Sequence, residues 1–219
     1  MVDFILFMVF SIMETMAMYY LMFRLFKFDM YPASIIFASA VASFISYTIR
    51  IKYDFSSIDI IIQIILMFMF VWLLFRVNAF YAGIMTSTTY LSYVLLQMLY
   101  YSIMKNIGFF DARAPFFNEY GTYMLQVITA STAWALGFWI KAKRKGFDFV
   151  PHSPFGLVKM NKINVSLLSL NVLGFFGLAA IFYSFLLNKS LQLIYLSMIL
   201  TLIMYLILYL SYKKDRSDE

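Results

Sequence analysis

Glu14 stands in "VFSIMETMAMYY", near the middle of the first long apolar run of the chain. A carboxyl group so placed has three uses: structural glue between helices, a ligand or gating contact, or a proton or ion site. Ser11, Ala17 and Leu21 fall on the same helical face at i−3, i+3 and i+7, so small and polar positions gather around it. A charge at the bilayer centre costs roughly 2.5–3.5 kcal/mol on insertion scales, so Glu14 is expected to face the bundle or a wet cavity. Proton and cation pathways usually show several intramembrane acids, or chains of acid and His. Here Glu14 reads as the only acid well inside a span.

A second polar array consists of Thr86, Tyr90, Tyr93, Gln97 and Tyr100, at spacings of 4, 3, 4 and 3. On a helix these positions form one stripe. The stripe either lines a pocket, making these residues a ligand-binding or gating set with Glu14, or supplies interhelical hydrogen bonds of about 1 kcal/mol each. Gln126, Thr129 and Gln192 are further candidates for a polar interior, with packing glue as the simpler reading.

Chemistry of other kinds finds few residues. His152, between two prolines in "FDFVPHSPFG", is the one histidine, and there is no cysteine. No Ser beside a His or Lys base, and no His or carboxylate cluster at helical spacing, can be read from the chain. No enzyme activity, cofactor or metal site is expected.

The elements that hold these residues follow from composition. Of the 219 residues, 63% are hydrophobic and 13% charged, with a mean hydropathy of +0.83, far from the usual soluble domain. An apolar helix of roughly 20 residues crosses a hydrocarbon core of about 30 Å. Seven such runs are expected, near 3–23, 33–49, 58–75, 80–104, 121–140, 163–187 and 191–211. The predicted fold is thus an all-α polytopic bundle, a single integral membrane domain over 1–219. A basic aromatic loop spans 141–162, the longest segment outside the runs, and a short charged tail spans 212–219. Asp3 replaces a basic flank and no small-residue cleavage site follows, so the first run is expected to be a retained span.

Lys and Arg set the orientation. One side of the seven-span arrangement carries 5 of them and the other 12. The N-terminus is therefore expected outside, with the tail and the 141–162 loop in the cytoplasm of a cell-membrane protein. The net charge of +6 reports this asymmetry, and nucleic-acid binding is not expected. Small residues let membrane helices approach closely. Ala38 and Ala42 with Ser39, Ser43 and Ser46, and Asn171 with Gly174 and Gly177, read as such packing faces. "LMFRLFKF" from Leu21 and "LLFRVNAF" from Leu73 hint at paired hairpin units, although an aromatic belt meeting a positive inner surface explains both.

Within the loop, Lys141, Lys143, Arg144 and Lys145 can each gain about 1 kcal/mol from an anionic leaflet. Together with Phe149 and His152 they form a candidate lipid or protein contact. The opposite segment "KNIGFFDARAPFFNEY" is equally aromatic and is a candidate lid for an extracellular amphipathic ligand, or a simple interfacial loop.

The pattern of "FRLFKF", "SFISYTIR", "LLFRVNAFYAGIM" and "GFDFVPHS" resembles uncharacterised multi-pass membrane proteins of low-GC Gram-positive bacteria. More distantly it resembles the membrane sensor domains of accessory-gene-regulator-type peptide-pheromone receptor kinases. Those receptors continue into a histidine kinase, whereas this sequence stops at "SYKKDRSDE". The resemblance implies a kinase-less sensor or regulatory subunit that takes an amphipathic or peptide-like ligand from outside and signals through a separate protein or a homo-oligomer. A small transporter or channel subunit using Glu14, and a purely structural assembly subunit, are the alternatives.

Overall fold

A computed structural model describes residues 2–53, 56–108, 120–151, 158, 161–186 and 190–217. Seven long helical segments account for nearly all of them, and no strand occurs among the described residues. Helix α1 runs Val2–Leu25, α2 Pro32–Tyr47, α3 Ser56–Met69, α4 Ala79–Asn106, α5 Tyr120–Ala142, α6 Lys162–Leu186 and α7 Ser190–Ser217. Two π-helical turns, Thr48–Lys52 and Phe70–Leu74, prolong α2 and α3. The expected apolar runs therefore coincide with helices to within a few residues, apart from a longer α7.

The ends of these helices follow local rules. Pro32 opens α2, where its missing N–H is no loss. The Asn78 side chain accepts from Phe80 N at 3.0 Å at the start of α4, and Asn161 accepts from Asn164 N at 2.9 Å before α6. Acids sit in the first turns of α1 and α3, at Asp3 and Asp59, and bases in the last turns of α1, α4, α5 and α7. Both placements complement the helix dipole.

Five of the helical stretches, 3–25, 32–52, 120–142, 162–184 and 192–216, are long and apolar enough to cross a membrane, the mark of a multi-pass membrane protein. Helix α3 is shorter, and α4 is diluted by the polar residues of its stripe. The exterior agrees with a lipid surrounding: Phe37, Trp72, Phe176, Met198 and Leu202 all stand exposed.

Helix α1 packs on α2, α4 and α5, whereas α6 and α7 pack on each other and on α4, so α4 joins two groups of helices. Part of the continuous core surrounds one end of α1, where Tyr19, Met22, Phe23 and Phe26 are fully buried. Phe75 packs edge-on against Phe23 there, at 4.9 Å between ring centroids. This end also carries Arg24, Arg76 and Lys141 and is called the basic end below. The small-residue faces read from sequence are packing faces. Ser39, Ser43, Ser46, Ala38 and Ala42 are buried, and Thr88 bonds Asn171 at 3.3 Å between α4 and α6.

The two "FR" turns are not equivalent. Arg24 lies inside α1 and the left-handed residue is Lys27 (φ 45°), whereas Arg76 is itself left-handed (φ 56°). The sequence similarity thus does not extend to the backbone.

Candidate functional site

Glu14 lies where α1, α4 and α5 meet. Gln126 Nε2 of α5 donates to Glu14 Oε2 at 2.8 Å, and Gln97 Nε2 of α4 approaches Oε1 at 3.4 Å. The Tyr93 hydroxyl is near enough to act electrostatically on the carboxyl but makes no hydrogen bond of good geometry. The carboxyl is surrounded by protein yet keeps accessible surface, because it faces a cavity of about 1040 Å³. That volume matches the upper end of ligand pockets, roughly 300–1,000 Å³.

Tyr90, Tyr93 and Gln97 line the same cavity, so the central part of the stripe does gather with Glu14. The ends of the stripe do not. Thr86 is buried away from the cavity, and Tyr100 shares a 2.8 Å hydrogen bond with Thr132 of α5. Gln126 joins the site. Thr129 turns back to Leu125 O in its own helix at 2.8 Å, and Gln192 is exposed.

A charged cluster that sequence reading missed faces the same space. Asp59 is fully buried in the first turn of α3, so a second acid faces the cavity, although Glu14 is still the acid that lies well inside a helical run. Its Oδ2 receives Arg50 Nε at 2.6 Å and Ser46 Oγ at 2.8 Å, while Gln63 Nε2 bonds Oδ1 at 3.2 Å. Arg50 was expected in a connection beyond position 49. Instead the π-helical turn Thr48–Lys52 continues α2 and holds its guanidinium against α3. A readable signal existed: Ser46 and Arg50, and Asp59 and Gln63, are i,i+4 pairs on successive helices.

The remaining walls are apolar. Met18 and Leu21 of α1, Ile181 of α6, and Met204 and Leu208 of α7 contribute, and the half-exposed Leu99, Trp139 and Ile194 mark where the cavity reaches the flank of the bundle.

At the basic end, Lys141, Lys143, Arg144 and Lys145 are exposed, with Lys145 Nζ 5.3 Å from the centre of the Trp139 ring. Phe149 is not at the surface. It is buried beside Phe26 and Tyr81, and Lys214 Nζ lies 4.4 Å from its ring centre. The reason is backbone docking: Phe147 N donates to Leu25 O at 2.7 Å, which ties the chain after α5 to the end of α1. His152 and most of the 105–120 segment lie outside the described residues.

Comparison with protein-family models, with curated proteins and with solved structures returns no match.

Proposed function

We propose that the chain is a seven-helix cell-membrane protein, N-terminus outside and tail inside, that binds an amphipathic or peptide-like ligand and acts as a sensor or regulatory subunit for a partner protein. The observation that carries this reading is the cavity itself. It joins a polar wall of Glu14, Gln97, Gln126 and Tyr93 to apolar walls and opens on the flank of the bundle. A ligand with a polar head and an apolar body matches both parts, and entry from the bilayer suits the opening. Signalling requires that the ligand favour one of two bundle arrangements. Because α4 joins the two helix groups and carries part of the polar wall, it is the natural element to shift. The exposed Lys141–Lys145 run suits contact with an anionic leaflet or an acidic partner.

The test is native mass spectrometry of protein extracted gently from its own membrane, wild type against Glu14→Gln. A small molecule or protein partner that is present with the wild type and lost in the variant supports the reading, and identical lipid-only spectra overturn it.

One observation favours a second reading, a small transporter. Glu14, Asp59 and Arg50 face one cavity, the kind of intramembrane charge set that moves substrates or protons. Proteoliposome flux abolished by Glu14→Gln supports it.

A further inference from the structure

We infer that the polar wall selects an amphiphile whose head carries one positive charge, a long-chain amine, seated against Glu14. This rests on the ligand-binding reading above and adds the chemistry of the head group.

Among the described residues, four charged side chains line the cavity: Glu14, Asp59, Arg50 and Lys105. Asp59 is matched by Arg50, and its two oxygens receive three hydrogen bonds. Lys105 is exposed and lies eight residues beyond Gln97, about 12 Å along α4. Glu14 has only neutral groups beside it, the Gln97 and Gln126 amides and the Tyr93 hydroxyl; Arg50 acts on it only at longer range, and no cation lies within ion-pair distance of it among the described residues. Glu14 is therefore the acid of this set with no cation in contact.

Two more atoms point to a donor-rich head. Gln126 Oε1 and the Tyr93 hydroxyl are buried without hydrogen-bond partners, in side chains that are 9% and 2% exposed and line the cavity beside Glu14. A carbonyl oxygen only accepts, and a phenol oxygen also can. Together with the carboxyl they offer three acceptors to one incoming group. An ammonium supplies three N–H donors and the matching charge. A carboxylate or phosphate head would instead set oxygen against oxygen and negative charge against Glu14. An alcohol brings one donor and no charge. Met18, Leu21, Leu178, Ile181, Met204 and Leu208 offer the alkyl chain an apolar bed.

Dodecylamine, dodecanol and dodecanoate share one chain and differ only in the head. Their saturable binding to the full chain in zwitterionic nanodiscs, followed by native mass spectrometry, separates the possibilities. Dodecylamine is expected to bind at least about tenfold more tightly than dodecanol, with dodecanoate weakest, a tenfold ratio being about 1.4 kcal/mol. Glu14→Gln should erase that preference, and Lys213→Gln, at an exposed position outside the cavity lining, should not. Should Glu14→Gln fail to fold, Tyr93→Phe decides, because it removes only the hydroxyl and should lower the amine preference severalfold. Equal binding of all three probes, or a preference that survives these cavity variants, overturns the cationic head while leaving the ligand-binding reading standing. No saturable binding of any probe overturns both.

Discussion

Gln126 and Glu14 meet across the α1–α5 contact, where Gln126 Nε2 donates to Glu14 Oε2 at 2.8 Å while the amide's own oxygen, Oε1, has no partner. Replacing Glu14 by Leu would leave both Gln97 and Gln126 without their acceptor. Each stranded amide costs about 1–3 kcal/mol. Glu14→Gln keeps an acceptor and is expected to lose only about 1 kcal/mol. Reversible unfolding in mixed micelles measures both, and equal losses would contradict the hydrogen-bond assignment.

Asp59 and Arg50 should behave asymmetrically. Arg50→Ala leaves a fully buried carboxylate without its cation, with an expected loss of about 3–5 kcal/mol. Arg50 keeps 21% side-chain exposure, so Asp59→Asn should be the milder change. The double variant Arg50→Met with Asp59→Leu should recover much of the loss, because it removes both charges together. The same micelle titration reads all three, and an Asp59→Asn loss larger than that of Arg50→Ala would count against the pairing.

The contact between α6 and α7 rests on Gly177. A Cβ there would meet Leu200 Cδ2 at 2.5 Å, whereas one at Gly174 would find only ordinary contacts, at 3.5 Å from Leu91 and 3.7 Å from Ile203. Gly177→Val is therefore expected to destabilise by about 1–3 kcal/mol through overpacking. Gly174→Ala should be neutral or slightly stabilising, since Ala favours a helix over Gly by about 1 kcal/mol. Thermal melts of the two variants side by side decide it.

Gly146 has φ +135°, and a Cβ there would lie 2.8 Å from Arg24 O and 3.1 Å from Leu25 O. Gly146→Ala should lift the following segment off the end of α1 and break the Phe147–Leu25 hydrogen bond. Trypsin, which cuts after Lys and Arg, should then cleave the exposed 141–145 run faster than in the wild type. An unchanged cleavage rate would mean that docking does not limit access.

Orientation is open to direct measurement, because the chain has no cysteine of its own. Single cysteines at Lys143 and Lys213 should be labelled by a membrane-impermeant maleimide only after the inner face is exposed. One at Asp3 should react from outside. The reverse pattern would invert the proposed topology.

Much of this architecture was legible in the sequence, and the reason is the bilayer. A membrane solvent forces backbone groups into helices, and charges and prolines then mark the helix ends, so the position of each element is written locally. The Glu14 neighbourhood was half legible. Helical spacing put Tyr90, Tyr93 and Gln97 on one face, but nothing in that spacing could say that Tyr100 would turn to Thr132, or that Gln126 would supply the shortest bond to Glu14. Asp59 and Arg50 were hidden because charges near span ends ordinarily mean water. Here the π-helical turn at Thr48–Lys52 carries Arg50 past the expected end of α2 and back to α3.

The long sequence separation of the Glu14 hydrogen bonds sets an order of events during synthesis. Gln97 is made 83 residues after Glu14, and Gln126 112 residues after it. At about 5–20 residues per second, Glu14 must wait about 6–22 s for its closest amide partner. Until Gln97 is made α1 holds an acid with neither amide available, and until Gln126 is made it still lacks the closer one. Helix α1, made before α4 and α5, therefore reaches its final environment only after them, and the arrival of α5 is the event that completes it.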